Sequence, residues 1–189
     1  NPAIDHNIFY PRDVDKNTDK FRILCFGKQT RWKGFPEALD AIKMVMDKRT
    51  DVEFIVYGTN KPTYQSAVPF KFIQSPSDEE LAKLYSSADI MICPSWYESF
   101  PLFPLEAMAC GAPIITTPYG TEDYAVHEKN CLVVPPKDPK AMSEAILRLL
   151  DDESEREFFK QEALKNAKQF TWDNTVDKIE ETFRGALSR

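Results

Sequence analysis

The sequence predicts a doubly wound α/β domain of Rossmann type, a parallel sheet of about six strands with helices on both faces. Two observations carry this. Six short β-rich apolar runs alternate with segments of helical periodicity, the pattern of a parallel sheet covered on both sides. The chain has 189 residues, 42% hydrophobic and 29% charged, which suits one large globular domain with a real core.

Residues 1–20 are polar, with Pro2 and Pro11 and little periodicity, and read as a linker or surface extension. RILCF (22–26) is the first strand, stopped by Gly27. PEALDAIKMVMDK (36–48) places Ala38, Leu39, Ile42, Val45 and Met46 on one helical face, with Pro36 near its start. VEFIVYG (52–58) and FKFI (70–73) are the second and third strands. Ser77, with Glu80 three residues later, is a capping-box pattern for a helix over 78–87. IMIC (90–93), PIIT (113–116) and CLVV (131–134) are further strands. PLEAMAC (104–110) reads as a short helix with Pro104 at its start and Gly111 just past its end. DPKAMSEAILRLLDD (138–152) is amphipathic, and Asp151, Asp152 and Glu153 read as a solvated charge run. Two more helices fill 153–188, broken near FTWDN, where Thr171 is placed to cap the last.

The composition narrows the function. A net charge of -6 argues against a general binder of nucleic acid or of anionic membranes. Cys25, Cys93, Cys110 and Cys131 lie far apart and form no CxxC, as reduced core thiols of a cytoplasmic protein would. No window reaches the ~18 apolar residues of a membrane span. No metal-ligand cluster is visible. The first residue is not methionine, so the chain is expected to be a fragment.

In such sheets ligands bind beyond the carboxyl ends of the strands, near the point where strand order reverses. The segments expected there are GKQTRWKG (27–34), GTNKP (58–62), QSPSD (74–78), PSWYESFP (94–101) and TPYGTED (117–123). Lys28, Arg31 and Lys33 between two glycines suit a phosphate or diphosphate; a solvated basic turn has the same composition. Neither GxGxxG nor GxxxxGK[ST] occurs, which leaves an ordinary dinucleotide fold or P-loop unsupported. Glu98 stands in a loop leading to a helix start, where amides and dipole favour an anion. The amides of Ser99, Phe100 and Leu102 are candidate donors to a ligand. Glu98 suits sugar hydroxyls and Glu106 suits a diol such as a ribose. Alternatively, Glu98 is a surface charge and Glu106 merely supports the helix start. Trp32, Trp96 and Tyr97 are candidates for stacking on a base or sugar, or for packing.

ESFPLFPLEAMACGAPIITT resembles the E-x7-E segment of retaining glycosyltransferases with the GT-B fold, specifically glycosyltransferase family 4. RILCFGKQTRWKGFPEALDAI resembles the first strand and basic loop of that family's donor domain. VEFIVYGTN, SPSDEELAKLYSSADIMICPSWYESF and YGTEDYAVHEKNCLVVPPKDPKAMSEAI resemble the segments that follow, PAIDHNIFYPRD the interdomain linker, and FTWDNTVDKIEETFRGAL the terminal helix that crosses back. The resemblance implies a donor-binding domain at 21–170, a linker at 1–20 and a returning helix at 171–189. The partner it implies is an N-terminal, acceptor-binding half absent from this chain, through which alone membrane contact would occur. The reaction implied is metal-independent transfer of a sugar from a nucleotide-diphosphate sugar to a glycan or lipid-linked acceptor, with retained configuration and no cofactor. The setting would be cytoplasmic, with the full-length protein at most peripheral to the inner membrane face. The isolated domain would be inactive.

By the same resemblance Lys28 and Lys33 would neutralise the diphosphate. Glu98 would sit by the donor sugar with Ser99, Phe100, Pro101 and Leu102, and Glu106 would hold the ribose. Gly27, Gly58, Gln74 and Ser75 would border the nucleotide, and Tyr119 to Thr121 the sugar. Lys28 stands where Arg is common, losing bidentate geometry. Pro101 stands where many members have Gly, losing an amide. The alternatives are a nucleotide-sugar binding module without catalysis, or another GT-B activity such as an epimerase or phosphorylase; an epimerase would keep a histidine and carboxylate set in the cleft, where only His127 is on offer. A receiver-like protein would show an acidic pair after the first strand, where this chain is basic.

Overall fold

The computed structural model describes residues 2–16 and 18–187. Asn1, Asn17, Ser188 and Arg189, which fall in the expected linker and terminal-helix ranges, lie outside the described residues. The strands are β1 (Phe21–Phe26), β2 (Val52–Gly58), β3 (Lys71–Gln74), β4 (Ile90–Cys93), β5 (Ile114–Thr116) and β6 (Leu132–Val133). The α-helices are α1 (Phe35–Met46), α2 (Asp78–Ser86), α3 (Leu102–Ala109), α4 (Pro139–Asp151), α5 (Glu153–Ala167) and α6 (Trp172–Leu187).

All strand pairs are parallel, in the order β3-β2-β1-β4-β5-β6. Cys25 aligns with Val56 on one side and Ile92 on the other, and Ile92 aligns with Ile115. Because side chains alternate along a strand, each strand feeds two cores. Ile23, Cys25, Phe54, Val56, Ile90, Ile92 and Ile115 join residues of α1 and α4 in one. Leu24, Ile55, Tyr57, Met91 and Ile114 join residues of α2, α3 and α5 in the other. Continuous apolar strands follow from this double burial.

The helix starts follow the capping chemistry. Ser77 and Glu80 form the reciprocal capping box. Asp138 accepts from the Ala141 amide, with Pro139 at the first helical position of α4. Thr171 accepts from the Asn174 amide at the start of α6. The acidic run is not merely a solvated face: Asp152 caps α5 through the Glu155 amide, and Asp151 pairs with Arg49. Helix α3 begins at Leu102, two residues before the expected Pro104, with Pro101 as N-cap. A proline at the third helical position is tolerated because its missing N–H would have no partner in the first turn.

Ala3, Ile4 and Phe9 of the N-terminal segment are buried, and the Ile4 amide donates to the Phe170 carbonyl at 3.1 Å. The start of the chain and the entry to α6 therefore meet. Helix α6 has no buried residue. Trp172, Val176, Ile179, Phe183 and Leu187 recur along it and are all exposed. Among the described residues no helix is long and apolar enough to cross a membrane.

Candidate functional site

Strand order reverses between β1 and β4, so the loops at their carboxyl ends bracket the crevice that such sheets offer to ligands. Three contacts fix these loops together. The Trp96 amide donates to the Trp32 carbonyl at 2.7 Å. Gly34 sits in the left-handed region at φ 68, and a Cβ there would stand 1.9 Å from the Pro94 carbonyl oxygen. Both requirements select glycine. The third contact is between side chains: Lys33 Nζ lies 2.5 Å from Glu98 Oε1, and the two side chains are only 16% and 12% exposed.

Glu98 is held on several sides. Ser95 Oγ donates to the same carboxylate oxygen at 2.7 Å, and the Glu98 amide donates to the Tyr119 carbonyl. Thr117 Oγ1 donates to the Ser95 carbonyl, and Thr121 Oγ1 to the Thr117 carbonyl. Gly120, at φ 86, would place a Cβ 2.3 Å from the Glu98 carbonyl oxygen, so the loop after β5 rests directly on this residue. A charge pair this buried stays favourable only with its remaining hydrogen-bonding capacity met, which Ser95 does in part.

Lys28 is exposed and forms no ion pair or hydrogen bond among the described residues. Arg31 is exposed but not solvated alone: it pairs with Glu37 at 2.8 Å and lies over the Trp96 ring at 4.2 Å. Lys137 approaches the same ring at 4.0 Å. Trp96 is thus a packing residue between two cations, whereas Trp32 and Tyr97 stack on each other at 6.1 Å and stay about half exposed.

At the start of α3, Ser99 and Leu102 are exposed, and Phe100 packs against Tyr124 and Phe170. Pro101 is buried, and its carbonyl accepts from Tyr124 Oη at 2.8 Å. Prolines at 101 and 104 remove two amides, leaving Leu102 and Phe103 as the N–H donors of the first turn. One turn further, Glu106 is half-buried, with Oε2 3.4 Å from Tyr85 Oη; Tyr85 Oη is 2.8 Å from Tyr57 Oη. Burial pushes the Glu106 carboxyl up to about 7, the Tyr85 hydroxyl opposes that rise, and Asp78 adds to it.

Gly27, just after β1, and Gly58, the last residue of β2, stand back to back: the Gly27 amide donates to the Tyr57 carbonyl, and a Cβ on Gly58 would meet the Gly27 oxygen at 2.5 Å. Ser75 follows β3 at φ 44, its amide bonded to the Gly58 carbonyl, and the exposed Gln74 side chain donates to the Thr59 carbonyl. All the candidate residues therefore lie on one edge of the sheet, and Lys33 and Glu98 are in direct contact. Lys28, Tyr97, Ser99, Leu102 and Tyr119 are exposed, so this edge is an open face. A separate cavity of about 730 Å³, lined by His6, Phe9, Tyr10, Ala109 and Leu164 among others, lies between the N-terminal segment and α5.

Ser95 and Thr117 behind Glu98, and Tyr57 and Tyr85 beside Glu106, carry no motif that marks them in the sequence. Their role emerges from pairing between elements far apart in the chain.

A parallel doubly wound sheet with this loop edge is the Rossmann-like architecture of GT-B glycosyltransferases, and the solved structures that resemble the chain are of that kind. Residues 7–166 match the family described as glycosyl transferases group 1, and the chain belongs to it. It is 28% identical over 198 aligned positions to "Uncharacterized glycosyltransferase MJ1607" of Methanocaldococcus jannaschii, covering 99% of this chain and 50% of that protein. It superposes with TM-score 0.76 on the C-terminal domain of a glycosyl transferase group 1 family protein (LpcC) from Francisella tularensis, at 24% identity, covering 88% of this chain and 97% of that one. With Anabaena Alr3699/HepE, solved in complex with UDP-glucose, the TM-score is 0.80 at 18% identity, covering 97% of this chain and 56% of that one. The chain thus spans about half the length of the curated relative and of the Anabaena protein it matches.

Proposed function

We propose that this chain is the donor-binding half of a retaining glycosyltransferase of family 4, binding a nucleotide-diphosphate sugar at the β1/β4 edge. The observation that carries the reading is the buried Lys33–Glu98 pair, which joins the basic loop to the E-x7-E segment at the switch point. The UDP-glucose named with the Anabaena protein supports the ligand class.

In this reading Lys28 and Lys33 face the diphosphate. An ammonium has three donor hydrogens, so Lys33 keeps its bond to Glu98 while offering others to phosphate oxygens. Negative charge grows on the departing phosphate during transfer. Fixed cations and the Leu102 and Phe103 amides at a helix N-terminus stabilise that growth more than the ground state. Glu98 accepts from hydroxyls of the donor sugar, and Glu106 from the ribose diol. No step is assigned to a metal. The exposed apolar stripe of α6 suits packing against an N-terminal, acceptor-binding half that covers the open edge and completes the site. The whole protein would then act on a glycan or lipid-linked acceptor in the cytoplasm, with any membrane contact made by that other half.

Calorimetry on two variants tests the residue roles. Glu106→Ala is expected to weaken UDP (or whichever of GDP and ADP binds) and its sugar conjugate alike, by about 1–3 kcal/mol. Glu98→Ala is expected to weaken the conjugate preferentially. Equal and negligible losses in both variants would refute the assignment.

A further inference from the structure

Two buried tyrosines take no part in the reading so far. Tyr57 is the penultimate residue of β2, Tyr85 lies near the end of α2, and both are almost wholly inaccessible. Their rings meet edge to face at 5.8 Å and their hydroxyls at 2.8 Å. The Tyr85 hydroxyl also reaches Glu106 Oε2 at 3.4 Å.

Each phenol has a single hydrogen to give. If Tyr85 gives its own to Glu106, Tyr57 completes the chain by giving its hydrogen to Tyr85. In the opposite direction Tyr85 donates to Tyr57, which leaves the half-buried carboxylate without this donor and the Tyr57 hydrogen without an acceptor among the described residues. The satisfied arrangement runs toward an ionised Glu106.

We infer that Tyr85 is a positioning residue for Glu106: its hydroxyl, backed by that of Tyr57, orients the carboxylate and sets the pH above which it accepts hydrogen bonds from a ligand diol. The diol part rests on the donor-site reading above. Other groups facing Glu106 do not supply this donor. Asp78, also on α2, is acidic and raises the carboxyl, and Cys110, the C-cap of α3, is a thiol pushed up to about 12 by burial and so stays neutral. Tyr85 opposes the desolvation that drives the carboxyl toward neutrality.

The test is a ¹³C-carboxyl NMR titration of Glu106 in the ligand-free chain, its signal assigned by loss in Glu106→Gln. Tyr85→Phe is expected to move the midpoint upward by about half a unit or more. Tyr57→Phe, which keeps the Tyr85–Glu106 contact, is expected to move it up by less, and serves if Tyr85→Phe fails to fold. A parallel titration with UDP, GDP and ADP should show affinity rising with pH through the Glu106 midpoint, and that rise displaced upward in the tyrosine variants. Unmoved midpoints in both variants would overturn the inference. Moved midpoints with no nucleotide bound at any pH would leave the tyrosine relay standing and remove the donor-site reading instead.

Discussion

Glu106 shows why a chain places a carboxylate in an apolar stretch. Its helix faces Tyr57 and Tyr85 within the core beneath the sheet, and burial raises it to about 7 from 4.5. The folded chain then binds a proton that the unfolded chain has released. By linkage, this stabilisation is fully present below the unfolded value and is lost as pH rises through the folded one. Urea denaturation is expected to show the wild type losing about 1–3 kcal/mol relative to Glu106→Gln between about pH 5 and 8. The Lys33–Glu98 pair behaves differently, because each partner compensates the other. Lys33→Met leaves a buried carboxylate alone and is expected to cost about 3–5 kcal/mol; adding Glu98→Gln should recover part of it. A double-mutant cycle of denaturation free energies checks this, and additive losses would contradict a coupled pair. At this scale the sequence singled out the two glutamates and the basic loop as candidates, and the fold brings one residue of each, Lys33 and Glu98, into contact. Arg31 faces solvent, as a basic turn would, but its pairing with Glu37 and its contact with the Trp96 ring carried no signal in the sequence.

At the scale of elements, strands and helices were legible to within two residues, because double burial writes continuous apolar runs and caps write Ser, Thr and Asp. The start of α3 was placed late because Pro104 suggests a first helical position, while the N-cap is another proline. The tightest joint is the one between Gly34 and Pro94. Gly34→Ala combines a left-handed backbone with a Cβ far inside contact distance of a carbonyl oxygen, and is expected to destabilise by more than about 2 kcal/mol in thermal or urea denaturation. Helix α6 has the opposite character. Its five apolar side chains are exposed, so little tertiary packing supports it. Amide hydrogen exchange over residues 172–187 is expected to be fast in this chain, and protection comparable to that of α1 would contradict an unsupported helix.

At the scale of the molecule, the sheet order β3-β2-β1-β4-β5-β6 explains how residues from five separate loops come to one edge. The sequence indicated that edge through the rule for parallel sheets, but not the loop-to-loop bonds that fix Glu98, which depend on neighbours distant in the chain. The proposed ligand lies at this edge and not in the cavity beside α5. Amide chemical-shift mapping with UDP-, GDP- and ADP-sugars tests that most directly. One nucleotide sugar is expected to perturb residues 27–34, 94–106 and 117–121, with a weaker response at equal concentration in Glu106→Ala; perturbations confined to the cavity around His6, Phe9 and Leu164 would contradict a ligand at the β1/β4 edge.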